Sequence, residues 1–198
     1  LGWPEKGDFE KFWQQRDKRE VVQYCGKDNL RQQAAMWQAM LMAADLPLST
    51  QIVIDGFIMS GGQKMSKSTG NVINPLEIIE EYSGVTDYPE DVLRFVLLHD
   101  ISSFEDGDIT KETIATSYVS HLQNGIGNLT NRIMKMATTN GVVSLETKRI
   151  DSVDVFKILD TYDIKKSIEL VMEEVRSLDK FIQDTEPFKV IKHDEEKG

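Results

Sequence analysis

Two apolar runs, residues 20–25 and 51–57, bracket a stretch of helical period at residues 30–44. Each run is short and rich in β-branched and aromatic side chains, as a buried strand requires. Between them Ala, Met, Trp and Leu recur at helical spacing, after a turn at Gly26-Lys27-Asp28-Asn29 that can cap the helix. Strands joined through one helix of this length pair in parallel, with a right-handed crossover. Residues 20–57 therefore predict a βαβ unit and commit this part of the chain to a parallel sheet.

The rest of the pattern is helical. Pro75 and Pro89 each suit the first position of a helix, predicting helices over 76–81 and 90–98. Residues 102–110 are acidic and turn-rich. A long helical pattern covers 111–139, interrupted only by Gly125 and Gly127. Residues 140–147 read as a loop. Helical period returns over 151–180, with Leu159, Ile164, Ile168, Val171, Val175 and Leu178 as the expected core stripe. Upstream, Phe9, Phe12 and Trp13 have a short helical spacing over 9–16, and the charged tail at 193–198 is expected to fray. Leu1-Gly2-Trp3-Pro4 lacks an initiator Met and reads as the middle of a domain. The expected class is α/β followed by all-α, changing over between Pro75 and Lys111.

Cysteine and histidine usage narrows the chemistry. The single cysteine, Cys25, excludes an internal disulfide and a cysteine-based zinc cluster within these residues, and its apolar neighbours predict a buried, inert thiol. The three histidines, His99, His121 and His193, are scattered and lack metal-ligand spacing, so no metal site is expected. No apolar run approaches the ~18 residues of a membrane span, and nothing resembles a signal peptide, so a cytoplasmic location is expected. The net charge of −10 argues against nucleic acid as a partner, since phosphate neutralisation needs clustered Lys and Arg. That charge is uneven: residues 122–136 carry Arg132 and Lys135 and no acid. A local face of this kind can bind RNA on an acidic protein.

Gly61-Gly62-Gln63-Lys64-Met65-Ser66-Lys67-Ser68-Thr69-Gly70-Asn71 is a glycine-bracketed cationic segment. Its composition suits first a solvated loop tip, and also a phosphate clamp. Lysine ammonium groups are compact charges, and the serine hydroxyls and backbone N–H groups can donate to the same oxygens. With few apolar anchors the segment is expected to be mobile. Gly26 and Asp28 fall at the carboxyl end of the first strand, the edge where parallel sheets bind ligands. There Asp28 either caps the helix or accepts from a ribose hydroxyl.

The string Lys64-Met65-Ser66-Lys67-Ser68 resembles the KMSKS signature of class I aminoacyl-tRNA synthetases. Gly26-Lys27-Asp28, Met36-Trp37-Gln38-Ala39-Met40-Leu41, Leu46-Pro47 and Asp55-Gly56-Phe57 resemble the methionyl-tRNA synthetases in order and spacing. So do Asp91-Val92-Leu93-Arg94-Phe95, Asp106-Gly107-Asp108, Gly127-Asn128-Leu129-Thr130-Asn131-Arg132 and Glu186-Pro187-Phe188. The resemblance implies the C-terminal half of a Rossmann-type catalytic domain at residues 1–74, a stem-contact fold at 75–111, and a truncated anticodon-binding helical bundle at 112–198. It implies a methionine–tRNA ligase that uses ATP with Mg2+ as substrate, methionine and tRNA(Met), with neither DNA nor a membrane as partner. By resemblance Lys64 and Lys67 are catalytic, and Gly26, Asp28, Lys64, Met65, Ser66, Lys67 and Ser68 bind the nucleotide.

Two departures from the family accompany this. Gln33 stands where the family places a histidine of the methionine pocket, and Phe188 where it carries a tryptophan that stacks on an anticodon base. Asn128 and Arg132, four apart and on one helix face, match the anticodon-reading asparagine and arginine. Trp37 is expected in the core. The His-Ile-Gly-His signature, which the family carries in the other half of the Rossmann fold, is absent from these residues, so the segment alone is expected to be inactive. The alternatives are a leucyl or cysteinyl synthetase and a non-catalytic tRNA-binding module.

Overall fold

A computed structural model describes Asp8, Trp13 and residues 20–142 and 155–190. The expected helix at 9–16 and the fraying tail lie outside the described residues, apart from Trp13.

Strand β1 (Val22–Gly26) pairs in parallel with β2 (Gln51–Asp55), from Val22 opposite Gln51 to Gly26 opposite Asp55. Between them run a short 3-10 turn, Lys27–Asn29, a π-helical turn, Gln32–Met36, and helix α1 (Trp37–Ala43). The predicted βαβ unit is thus present. The second apolar run ends earlier than predicted, because the chain breaks at Gly56 and restarts as β3 (Ile58–Ser60). A Cβ at Gly56 would collide with the Glu105 carbonyl, so only glycine admits this crossing of two backbones.

Strand β3 pairs antiparallel with β4 (Gln63–Lys64) and parallel with β5 (Gly107–Asp108). Two glycines with positive φ, Gly61 and Gly62, make the turn between β3 and β4. Helices α2 (Pro75–Tyr82) and α3 (Pro89–His99) both start on proline, as predicted. Asn74 caps α2, its Oδ1 accepting from the Leu76 N–H at 3.1 Å. Together these elements bury Ile78, Tyr82, Val92, Leu93, Val96, Ile101, Ile109 and Ile114 in one cluster. Three of these, Ile78, Val96 and Ile114, are at most 1% exposed.

Thr110 and Thr113 cap α4 (Lys111–Ser117) reciprocally. The helix continues through a π-helical segment, Tyr118–Gly127, into α5 (Asn128–Thr139). The glycines at 125 and 127 therefore widen the long helix without ending it. The pattern over 151–180 is two helices: α6 (Val155–Leu159) and α7 (Ile164–Thr185). Tyr162 adopts a left-handed conformation between them, and Asp163 caps α7 by accepting from the Lys166 N–H at 3.1 Å. A short helix α8 (Pro187–Val190) follows.

The buried positions of α7 are Ser167, Met172 and Ile182; of the expected stripe, Ile164, Ile168 and Val175 are half-buried, whereas Leu159, Val171 and Leu178 are exposed. Ser167 tolerates burial because its hydroxyl donates to the Asp163 carbonyl at 3.0 Å. The overall class is α/β followed by all-α. No helix among the described residues is long and apolar enough to cross a membrane.

Candidate functional site

The cationic loop and the Gly26-Lys27-Asp28 turn meet at one aromatic ring. Lys64 Nζ lies 3.8 Å from the centroid of Phe57, and Lys27 Nζ lies 4.3 Å from it. Two ammonium groups on one quadrupole form a compact positive site. Asp106 completes it, pairing with Lys27 and accepting the Phe57 N–H at 2.8 Å. The Lys27 ammonium, and then the Phe57 N–H, hold the Asp106 carboxyl below its ordinary range. Asp106 thereby ties the β1 turn to the loop before β5. Lys27, Phe57 and Asp106 carry no catalytic signal of their own in the sequence, and only the fold makes them neighbours.

The loop itself closes around Asn71. The Asn71 Oδ1 accepts from the Ser66 N–H at 2.9 Å and the Thr69 hydroxyl at 2.7 Å, while its Nδ2 donates to the Lys64 carbonyl at 3.2 Å. Ser66 and Ser68 hydroxyls lie 2.7 Å apart, and the Gly62 N–H donates to Asp108 at 2.9 Å. Met65 packs against the core cluster and gives the loop an apolar anchor. Lys67 is exposed and has no ion pair among the described residues.

Gly26 and Asp55, at the carboxyl ends of the parallel strands, line a hollow of about 390 Å³ with Tyr24, Gly56, Ser102 and Ser103. Asp28 is exposed within the 3-10 turn, where its Oδ1 accepts from Asn29 Nδ2 at 3.2 Å, and no side-chain cap forms there. Burial, then Asp55 acting through a hydrogen bond and its charge, pushes the Tyr24 hydroxyl up to about 12. Burial and then the Asp28 and Asp55 carboxylates raise the Cys25 thiol, which keeps it inert although only half-buried.

Gln33 lines a separate hollow of about 470 Å³ with Gln23, Gln32, Met36, Trp37 and Met40. Trp37 is half-buried on this hollow, edge-on to Trp13 at 6.0 Å, and so is not the core residue its spacing predicted. Its Nε1 is buried without a hydrogen-bond partner among the described residues. The π-helical turn at Gln32–Met36 sets the side chains here, in the manner of π-turns at binding sites.

On the bundle, Arg132 and Phe188 line one groove of about 470 Å³, together with Lys135, Met136, Thr139 and Asn140. Asn128 lines a different hollow, about 720 Å³, with Tyr88, Phe95 and Asn131. The helix face expected to hold Asn128 and Arg132 together is thus divided between two cavities. Arg132 also pairs with Asp179 of α7, which accepts from Gln183 Nε2 at 2.6 Å as well.

His99 and His121 are not scattered. Their rings lie 4.4 Å apart, and His99 Nδ1 lies 2.5 Å from Asp100 Oδ1. Burial, and next the neighbouring His99, hold His121 below its usual range. Residues 22 apart in sequence meet because α3 packs against the π-helical segment, and no local spacing signals that.

A family model described as tRNA synthetases class I (M) matches residues 3–134. The methionine–tRNA ligase of Fusobacterium nucleatum is 33% identical over 208 residues, covering 98% of this chain and 31% of that protein. The methionine–tRNA ligase of Rickettsia prowazekii is 34% identical over 181 residues, covering 91% of this chain and 33% of that protein. A structure of Mycobacterium tuberculosis methionyl-tRNA synthetase in complex with methionyl-adenylate superposes with a TM-score of 0.78 at 25% identity, covering 94% of this chain and 38% of that one. The chain spans about a third of the length of these relatives. It belongs to the class I tRNA synthetases (M), alongside the methionine–tRNA ligases it matches.

Proposed function

We propose that this chain supplies the KMSKS half of the ATP site, and the first part of the tRNA-selecting bundle, of a methionine–tRNA ligase. The observation that carries the reading is the convergence of Lys64 and Lys27 on Phe57, beside the Gly26 edge of the parallel strands. The methionyl-adenylate in the M. tuberculosis enzyme supports the same assignment. In the reaction, the methionine carboxylate attacks the α-phosphorus of ATP, and the bond to pyrophosphate breaks. Negative charge grows on the departing oxygens. Lys64 and Lys67 offset it, with Ser66, Ser68 and the Met65 backbone donating hydrogen bonds. ATP enters with Mg2+, and Asp28 and Gly26 face its ribose. Gln33 borders the methionine pocket, its amide replacing the imidazole common in the family. Methionine then passes to tRNA(Met), selected by Asn128, Arg132 and Phe188. A cytoplasmic location suits that role.

We retain residues 1–74, 75–111 and 112–198 as the catalytic, stem-contact and anticodon-binding units. The pairing of β3 with β5 and the placement of Ile114 in the central core join these units physically. The test is methionine-dependent ATP–pyrophosphate exchange by the full-length enzyme. Lys67→Ala should lower it by a factor of roughly 10² or more, the scale for losing one transition-state charge partner. An unchanged rate removes Lys67 from the mechanism. The segment alone should give no exchange, and measurable exchange would overturn the half-site reading.

A further inference from the structure

We propose that His99, Asp100 and His121 bind a divalent first-row transition cation of the zinc type. The three residues each offer a ligand atom, and these atoms all lie within 4.8 Å of one another. Two imidazoles and a carboxylate are the donor set that such cations prefer over calcium or magnesium. Zinc holds nitrogen and oxygen ligands at about 2.0–2.2 Å, which puts ligand atoms roughly 3.3 Å apart. Small side-chain rotations from the present arrangement reach that spacing. His99 Nδ1 and Asp100 Oδ1, now 2.5 Å apart, already face each other at hydrogen-bond distance, and a cation would sit between them.

The surroundings suit such a site. His99 stacks on Phe95 at 4.9 Å and its side chain is only 12% exposed, so one wall is apolar and the imidazole has little freedom to lose. Phe95 also flanks His121, at 6.0 Å. Two cations approach from α7. Lys165 Nζ donates to the Asp100 carbonyl at 3.2 Å, leaving the carboxylate to the metal, and lies 4.0 Å from Glu169. Arg176 acts on His121 through its charge and opposes a bound cation. The site would clasp the end of α3 to the π-helical segment, outside the nucleotide site built at Phe57.

The experiment uses the full-length protein, freed of any polyhistidine tag, titrated with Zn2+ and with Co2+ as an absorbing probe. The wild type should bind one equivalent more than His121→Ala, or bind that equivalent at least roughly tenfold more tightly. Asp100→Asn keeps the shape and should weaken the same equivalent. Arg176→Gln should tighten it, a gain that no loss of folding can imitate. Zn2+ should raise the Tm of the wild type and leave that of His121→Ala unmoved. Equal stoichiometry and affinity in the wild type, His121→Ala and Asp100→Asn would overturn the proposal, as would unchanged binding in Arg176→Gln.

Discussion

Lys64 Nζ rests on the face of Phe57, 3.8 Å from the ring centroid, so an aromatic side chain holds the first lysine of the KMSKS string in place. Lys27 shares the ring from the other arm of the site. Preorganised charge costs no rearrangement during reaction, which is where such sites gain their advantage.

Phe57→Leu keeps an apolar side chain and removes the quadrupole. A cation–π contact at an exposed site is worth about 0.5–1 kcal/mol, so ATP–pyrophosphate exchange by the full-length enzyme should fall about two- to fivefold. The loss should be far smaller than that of Lys67→Ala. A Phe57→Leu enzyme with wild-type exchange would show that the ring merely fills space.

Gly56 marks the second relationship that the fold imposes. Gly56→Ala drives a methyl group into the Glu105 backbone, which cannot yield as a side-chain tip can. Stability should drop by about 3 kcal/mol, the upper end for overpacking. Gly84→Ala meets nothing within 4 Å and should be close to neutral. Urea denaturation of both variants checks the contrast, and equal midpoints would refute it.

Much of this architecture was legible in the residues. The βαβ unit, Pro75 and Pro89 at helix starts, and the lysine loop all rest on local chemistry, and local chemistry survives folding. What escaped depends on tertiary placement. One helical period over 151–180 conceals a break, because the positive φ of Tyr162 leaves no mark on periodicity. The exposed Val171 and buried Ser167 shift the hydrophobic stripe, with Ile164, Ile168 and Val175 left half-buried, since partners on α3 decide which face of α7 is covered. Lys27 carries no role of its own within the Gly26-Lys27-Asp28 motif, because its contact depends on a ring 30 residues away. The two histidines likewise needed α3 and the π-helical segment to meet.

Tyr24 predicts an alkaline limit to stability. Its folded-state pKa of about 12 lies above the ordinary value of 10.0. Between those values the unfolded chain releases a proton that the folded chain retains, so unfolding gains and stability falls as pH rises. The contribution is complete below pH 10 and gone above pH 12. Tyr24→Phe should flatten this part of the Tm-against-pH curve while leaving neutral pH little changed. An identical alkaline slope in the variant would assign the loss to other groups.

Arg132 decides whether the bundle reads RNA or only holds itself together. Its guanidinium reaches Asp179 on α7, and it lines a groove with Lys135 and Phe188 that offers positive charge and a π-face. A partly exposed ion pair is worth at most about 1 kcal/mol, so breaking it cannot unfold the domain. A guanidinium that reads a base edge contributes about 1–3 kcal/mol of discrimination. Arg132→Ala in the full-length enzyme should therefore reduce charging of a tRNA with a CAU anticodon by roughly 5- to 150-fold, with ATP–pyrophosphate exchange nearly intact. Asp179→Ala separates the two roles, since it frees the arginine from its protein partner without removing it. That variant should retain charging. Asn128→Ala should weaken charging in the same direction as Arg132→Ala, although it lines the neighbouring hollow. Parallel assays of charging and exchange on the same preparations give the answer: if both activities fall together in Arg132→Ala, the residue serves the packing of α5 against α7, and tRNA selection lies elsewhere.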